Sequence, residues 1–148
     1  MGSKQQAVAT WESLFRAQVR VMRQLAAEFP LHGLSLNEYD VLFNLSLQPN
    51  RAARLRDLNE LVFLSQPSVS RLIDRLVDRG IVTKEPDPCD GRGTIVRMTE
   101  AGFDLYRTVA IEHMNTIAAV VGNRLDDDEL KQLKQLTDRL DGRRPPIG

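Results

Sequence analysis

SQPSVSRLIDRLVDRGIVTKEPDPCDGRGTIVRM, residues 65–98, reads as one helix followed by a two-stranded ribbon with a charged tip, and its reading decides the fold. Val69, Leu72, Ile73, Leu76 and Val77 recur at the spacing that lines one side of a helix, while Pro67, Ser70, Arg71, Asp74, Arg75 and Asp78 fall on the other. One side is built to pack and the other is free to read something. Ser65 can cap the start, Pro67 is tolerated in the first turn because its missing N–H would have no helical partner there, and Gly80 supplies a left-handed stop. Ile81, Val82 and Thr83 are strand formers, the run 86–93 is rich in turn formers, and Thr94, Ile95, Val96 and Arg97 resume an extended pattern. The expected product is a hairpin with a long exposed tip that presents Arg92. A helix face of hydroxyls and arginines beside such a tip offers two probes on one side of a domain, and DNA has two grooves to receive them.

Towards the N-terminus, residues 54–62 predict a short helix with Leu55, Leu58, Leu61 and Val62 apolar, and Phe63 and Leu64 lead directly into Ser65. Two helices so close must turn sharply, which is helix-turn-helix spacing, although no glycine stands in the turn. Ser35 with Glu38 makes a capping box for a helix through about Leu47, with Tyr39, Leu42 and Leu45 as its buried face. Residues 7–29 predict a long amphipathic helix whose stripe is Trp11, Leu14, Phe15, Val21, Met22, Leu25 and Phe29, after a frayed terminus at 1–5. Towards the C-terminus, Thr99 can cap a long helix bearing Phe103, Tyr106, Val109, His113 and Ile117 in register. Asp126 with Glu129 starts a last helix with Leu130, Leu133, Leu136 and Leu140, stopped by Gly142, Pro145 and Pro146.

The expected fold is therefore mainly α with a small β-hairpin wing. It is read as a single domain over 1–148, with a winged helix-turn-helix module at 35–98 and a helical dimerisation region at 7–29 and 99–141. The terminal helices carry more large apolar side chains than a thin layer of three helices can cover, which predicts a homodimer. A two-fold pair would set its reading helices about 34–36 Å apart, one turn of DNA, and so ask for a palindromic site.

Composition narrows the alternatives. A chain of 148 residues, 42% hydrophobic and 27% charged, suits one domain able to bury roughly 68–70% of its unfolded surface. The single cysteine excludes an intrachain disulfide, and neither a signal-peptide core nor an apolar run near about 18 residues occurs, so a cytoplasmic protein without membrane contact is expected. Net charge is zero, so nucleic-acid binding must rest on local charge: residues 51–97 hold nine Lys or Arg against seven acids, an excess of two. Direction matters more than that sum. No glycine-rich phosphate loop and no nucleophile with an evident base occur, so no catalytic residue is assigned. His32, His113 and Cys89 lack ligand spacing, so neither a metal nor a cofactor is expected.

The run 55–102, LRDLNELVFLSQPSVSRLIDRLVDRGIVTKEPDPCDGRGTIVRMTEAG, and LSLNEYDVL at 34–42 together resemble the MarR family of winged helix-turn-helix transcription regulators. Four elements carry the likeness: S-Q-P-S-V-S-R, L-x-x-R-G-I-V, the wing D-P-x-D-G-R, and M-T-E-A-G. The resemblance implies a homodimer with interleaved terminal helices, a recognition helix in the major groove and a wing arginine in the minor groove. It implies repression of operator DNA, with release by a small-molecule effector or an oxidant. By matching position, Ser65, Gln66, Ser68, Ser70, Arg71 and Arg75 become candidate contacts to phosphates or major-groove edges, Arg92 to the minor groove, and Asp90 the residue that orients Arg92. The chemistry agrees, since arginine can bridge guanine O6 and N7 and a narrow A·T groove attracts a guanidinium. Two departures from the family pattern, Cys89 and Gly91 where basic or large residues are common, imply a lighter electrostatic grip by the wing.

Other readings stay open. Trp11, Phe15, His32, Tyr39, Tyr106 and His113 are candidates for an effector pocket, although such residues are more often plain core. Cys89 is a candidate redox sensor beside Arg92, with an incidental surface thiol as the simpler account because Asp87 and Asp90 oppose a thiolate. Arg71 and Arg75 could form only a solvated face laced with Asp74 and Asp78. A winged-helix module that pairs proteins without DNA, or a small-molecule binder using an interhelical cavity, remain the rivals.

Overall fold

The computed structural model describes residues 2–62 and 64–142, so the expectations on Phe63, Pro145 and Pro146 lie outside the described residues. The elements in order are α1 (Gly2–Ala26), α2 (Leu36–Ser46), a 3₁₀ turn (Pro49–Arg51), β1 (Ala52–Arg54), α3 (Leu55–Leu61), α4 (Gln66–Asp78), β2 (Val82–Asp87), β3 (Asp90–Met98), α5 (Glu100–Gly122) and α6 (Asp127–Asp141). No helix among the described residues is long and apolar enough to cross a membrane. The chain divides into two compact units, one from the residues up to Ala27 together with those from His113 onward, the other Glu28–Glu112.

Local chemistry sets the ends of the elements in the second unit. The Ser35 hydroxyl accepts from the Glu38 N–H at 3.1 Å and the Glu38 carboxylate accepts from the Ser35 N–H at 3.0 Å, the reciprocal box read from the sequence. Ser65 caps α4 by accepting from the Ser68 N–H at 3.3 Å. Gly80, at φ 72°, closes α4: its N–H donates to the Val77 carbonyl at 2.9 Å and the Ile81 N–H donates to the Leu76 carbonyl at 2.9 Å. These are the two bonds of a Schellman cap, and Leu76 and Ile81 meet in the core beneath it.

The core of this unit is built on the apolar side of α4. Val69, Leu72, Ile73 and Leu76 are buried, against Leu42 and Leu45 of α2, Leu58 of α3, Val82 and Val96 of the sheet and Val109 of α5. Each such side chain contributes roughly 1.5–3 kcal/mol by leaving water. The unit extends beyond the 35–98 module because Leu34 and Val109, on either side of it, are both fully buried in the same cluster.

The sheet differs from expectation in two ways. Its order is β1-β3-β2, all antiparallel, so β3 is central, and β1 is an addition to the expected hairpin. The wing tip is also shorter than the run 86–93. Pairing continues through Glu85 with Ile95 and Pro86 with Thr94 to Asp87 with Asp90, leaving only Pro88 and Cys89 in the turn. Proline and glycine weaken a strand's own preference, but here the partner strand supplies the bonds. Residues 3–5 are likewise helical, within α1, in place of the expected fraying.

The α4–β2 corner is locked to the start of α5. Thr99 donates its N–H to the Ile81 carbonyl at 3.0 Å, points its hydroxyl at the Gly80 and Ile81 carbonyls at 2.7 and 3.1 Å, and caps α5 by accepting from the Gly102 N–H at 2.9 Å. A Cβ on residue 102 would stand 2.1 Å from the Ile81 carbonyl oxygen.

The first unit has a different character. In α1 only Leu25 is buried and in α6 no residue is, while Trp11, Phe15 and Met22 on α1 and Leu133, Leu136 and Leu140 on α6 are exposed. Leu14 and Ala17 of α1 and the three leucines of α6 line an apolar groove of about 610 Å³.

Gly102→Ala is expected to destabilise the fold by about 1–3 kcal/mol or more, because backbone must move to admit the methyl group. A lowered thermal midpoint checks this; an unchanged midpoint would mean that the corner yields freely.

Candidate nucleic-acid interface

Ser65 and Ser68 stand at the start of α4, where helix geometry brings residues three apart onto one face. Ser65 donates its hydroxyl proton to Ser68 Oγ at 2.8 Å while its oxygen serves the cap. The Ser68 proton is therefore left to donate outward. Arg71 Nη2 reaches Ser68 Oγ at 3.5 Å, and one turn on, Arg75 is also exposed. Gln66 is exposed and Ser70 half-buried on the same helix.

Three of the acids near this face are engaged elsewhere, while exposed Asp78 on α4 joins no ion pair among the described residues. Asp74 binds Lys84 of β2 at 2.8 Å, Glu85 binds Arg97 across the hairpin at 2.9 Å, and Asp87 binds Arg54 at 2.8 Å. Arg71, Arg75 and Arg92 join no ion pair among the described residues. Interlacing of Arg71 and Arg75 with Asp74 is thus not the arrangement adopted. Asp90 does act on Arg92, but through the backbone: its carboxylate accepts the Arg92 N–H at 3.1 Å, which shapes the strand and leaves the guanidinium unengaged.

A groove of about 320 Å³ runs between α3, the start of α4 and the wing, lined among others by Arg54, Arg56, Asn59, Gln66, Asp90 and Arg92. Sequence reasoning misses Arg54, Arg56 and Asn59. Arg56 is legible as an unpaired charge on the polar side of its helix, whereas the role of Arg54 depends on a strand whose residues, Ala-Ala-Arg, carry no strand signal. Asn59 Oδ1 is buried with no hydrogen-bond partner among the described residues.

Cys89 stands exposed in the wing turn, its N–H donating to Asp87 Oδ1 at 2.9 Å. The six candidate pocket residues are divided between the two units. Trp11 and Phe15 pair on α1 with ring centroids 5.8 Å apart, and His113 is buried in α5, in the first unit. In the second, Tyr39 stacks on Tyr106 at 5.6 Å, the Tyr106 oxygen accepts from Ser46 Oγ at 3.2 Å, and His32 Nε2 lies 2.8 Å from Glu112 Oε1. Burial first, and the neighbouring Tyr106 next, push the Tyr39 phenol far above its ordinary range, so it remains a protonated donor. Among the described residues no cluster of three or more His, Cys, Asp or Glu could hold a metal.

The geometry agrees with known proteins. A sequence profile described as "MarR family" matches residues 32–93, from the loop before α2 to the wing. An uncharacterised HTH-type transcriptional regulator of Mycobacterium leprae is 32% identical over 91 residues, which are 62% of this chain and 62% of that protein. The chain thus spans under two thirds of that relative's length. AbsC, a MarR family transcriptional regulator from Streptomyces coelicolor, superposes with a TM-score of 0.76 at 26% identity, covering 91% of this chain and 94% of its own. Over residues 32–93 in sequence, and in fold, the chain is similar to MarR family regulators. Sco3205, a MarR family regulator from the same organism solved in complex with DNA, shares the fold with a TM-score of 0.78 at 24% identity, covering 99% of this chain and 91% of its own. The profile match takes in α4, β2 and the beginning of β3, the elements that carry Ser65 to Arg92.

Ser65→Ala removes the cap of α4, and a loss of about 1 kcal/mol is expected. Chemical denaturation checks it; a larger effect on DNA affinity than on stability would give Ser65 a contact of its own.

Proposed function

We propose that this chain is a sequence-specific, DNA-binding transcription regulator that acts as a homodimer on palindromic operators, as a repressor. The observation that carries the reading is the disposition of charge: in a chain of zero net charge, Asp74, Glu85 and Asp87 are tied to other partners while Arg71 and Arg75 on α4 and Arg92 on the wing stay exposed and join no ion pair among the described residues. In this reading α4 enters the major groove, where Arg71 and Arg75 reach bases or phosphates with Gln66, Ser68 and Ser70, and Arg92 enters the minor groove. Arg56 and the groove beside it follow the phosphate backbone between the two. The apolar residues exposed on α1 and α6 support a second copy as the partner of the first unit. Operator occupancy by that dimer, in the cytoplasm, is the activity; no catalysis is assigned. Release by a small-molecule effector belongs to the same proposal, as the family resemblance implies.

The test is a salt titration of binding to duplexes selected from a random pool. Affinity for a selected palindrome is expected to fall steeply with salt and to exceed that for random duplex by roughly 10³-fold or more. No binding to any duplex at low salt would overturn the reading.

Arg92→Ala is expected to weaken binding by roughly ten- to a hundredfold with fold and dimer intact, since one charged contact is lost at an exposed site. Melting curves and light scattering on the variant separate that loss from misfolding. Gly91 has open space around the position of a Cβ and no positive φ, so a side chain fits there. Gly91→Arg is expected to tighten binding to all duplexes and steepen the salt dependence by about 0.9 in log–log slope. An unaltered slope would show that position 91 faces away from the phosphates.

A further inference from the structure

The outer wing is held by a charge and not by apolar packing. Across residues 83–95 the one buried side chain is that of Asp87, a carboxylate only 3% exposed. Apolar contact is non-directional and would let a two-stranded ribbon tilt, whereas hydrogen-bonded charge fixes angle as well as distance. Asp87 uses both oxygens: Oδ1 accepts the Cys89 N–H at 2.9 Å and so shapes the turn, and Oδ2 takes Arg54 Nε at 2.8 Å. Arg54 ends β1 and stands at the N-cap of α3, so it belongs to the frame of the helix-turn-helix. The packing around the pair is close. A Cβ at residue 93 would lie 3.1 Å from Asp87 Cβ and 3.3 Å from the Asp90 carbonyl oxygen, so Gly93 lets β3 approach the carboxylate. Arg92 precedes that glycine and lines the same groove as Arg54 and Asp87.

We propose that the Arg54–Asp87 pair is a strut that sets the angle of the wing on the helix-turn-helix frame and thereby positions Arg92 for the minor groove. The inference rests on the DNA-binding reading above. Arg54 and Asp87 are positioning residues here: they act through Arg92, and Asp87 itself offers DNA only repulsion.

That sign makes the proposal testable. Asp87→Asn raises the net charge by one, so simple electrostatics calls for tighter binding. The strut calls for weaker binding. A double-mutant cycle is measured on the duplex that the unmodified chain selects from a random pool, with Asp87→Asn made alone and in the Arg92→Ala background. Expected are a loss of roughly tenfold in the first case and a change of under about twofold in the second, because a strut has nothing left to place once Arg92 is gone. Unchanged or tighter binding by Asp87→Asn would overturn the proposal, and so would an equal loss in both backgrounds. Should melting show that Asp87→Asn does not fold, Arg54→Gln, at the more exposed end of the pair, is carried through the same two backgrounds: a loss confined to the chain that keeps Arg92 supports the strut, and an equal loss in both, or none, overturns it. Arg54→Lys, which keeps a cation, is expected to lose less than Arg54→Gln. Failure of the unmodified chain to bind any duplex would defeat the regulator reading and the strut with it. Binding by the unmodified chain with a flat cycle would defeat the strut alone.

Discussion

The Ile81 carbonyl is the point on which the reading unit turns. It accepts the Thr99 N–H, lies against the Thr99 hydroxyl, and occupies the space that a side chain at residue 102 would need. The end of α4, the start of β2, the end of β3 and the start of α5 all converge there, because the Schellman cap at Gly80 delivers Ile81 to that spot and Thr99 follows directly on β3. Buried backbone acceptors must be satisfied, so these bonds are obligations of the fold. The core built on the apolar face of α4 then supplies apolar burial, while the corner supplies its direction.

Polar geometry takes over where the core thins out. Lys84 to Asp74 joins the wing to α4, Arg97 to Glu85 spans the hairpin, and Arg54 to Asp87 ties its turn to β1. Surface pairs of the first two kinds contribute little to stability, usually under about 1 kcal/mol. Their effect on the distribution of charge is larger: each acid so engaged is one that does not screen the arginines left on α4 and at the tip. A chain with no net charge can thus present a positive face.

The helices and their caps are legible in the sequence because the determinants are local: Ser35 with Glu38, Ser65 ahead of Ser68, Gly80 at the stop. The candidate reading residues are legible for the same reason, lying on one helix and one hairpin. What escapes is non-local. β1 has three residues and no hydrophobic alternation, and exists because β3 offers it an edge. The wing strands run longer than their residues suggest because Pro86, Asp87 and Gly93 argue for a loop one residue at a time, while pairing is a property of two strands together. The Arg54–Asp87 pair joins residues distant in sequence, so no spacing rule could propose it. The division at Ala27 and His113 escapes as well, since α5 reads as a single helix and runs unbroken through the second boundary.

The exposed stripe on α1 includes the chain's single tryptophan, Trp11, which is 57% accessible, while both tyrosines lie in the other unit. The chromophores are thereby separated. Indole emission shifts to shorter wavelength as water leaves the ring, so the colour of Trp11 fluorescence reports on whatever covers α1, and the stacked Tyr39–Tyr106 pair reports independently on the reading unit through its near-ultraviolet dichroism. Two events in one unlabelled chain, the covering of a helix in one unit and a rearrangement within the other, can be followed as two optical signals.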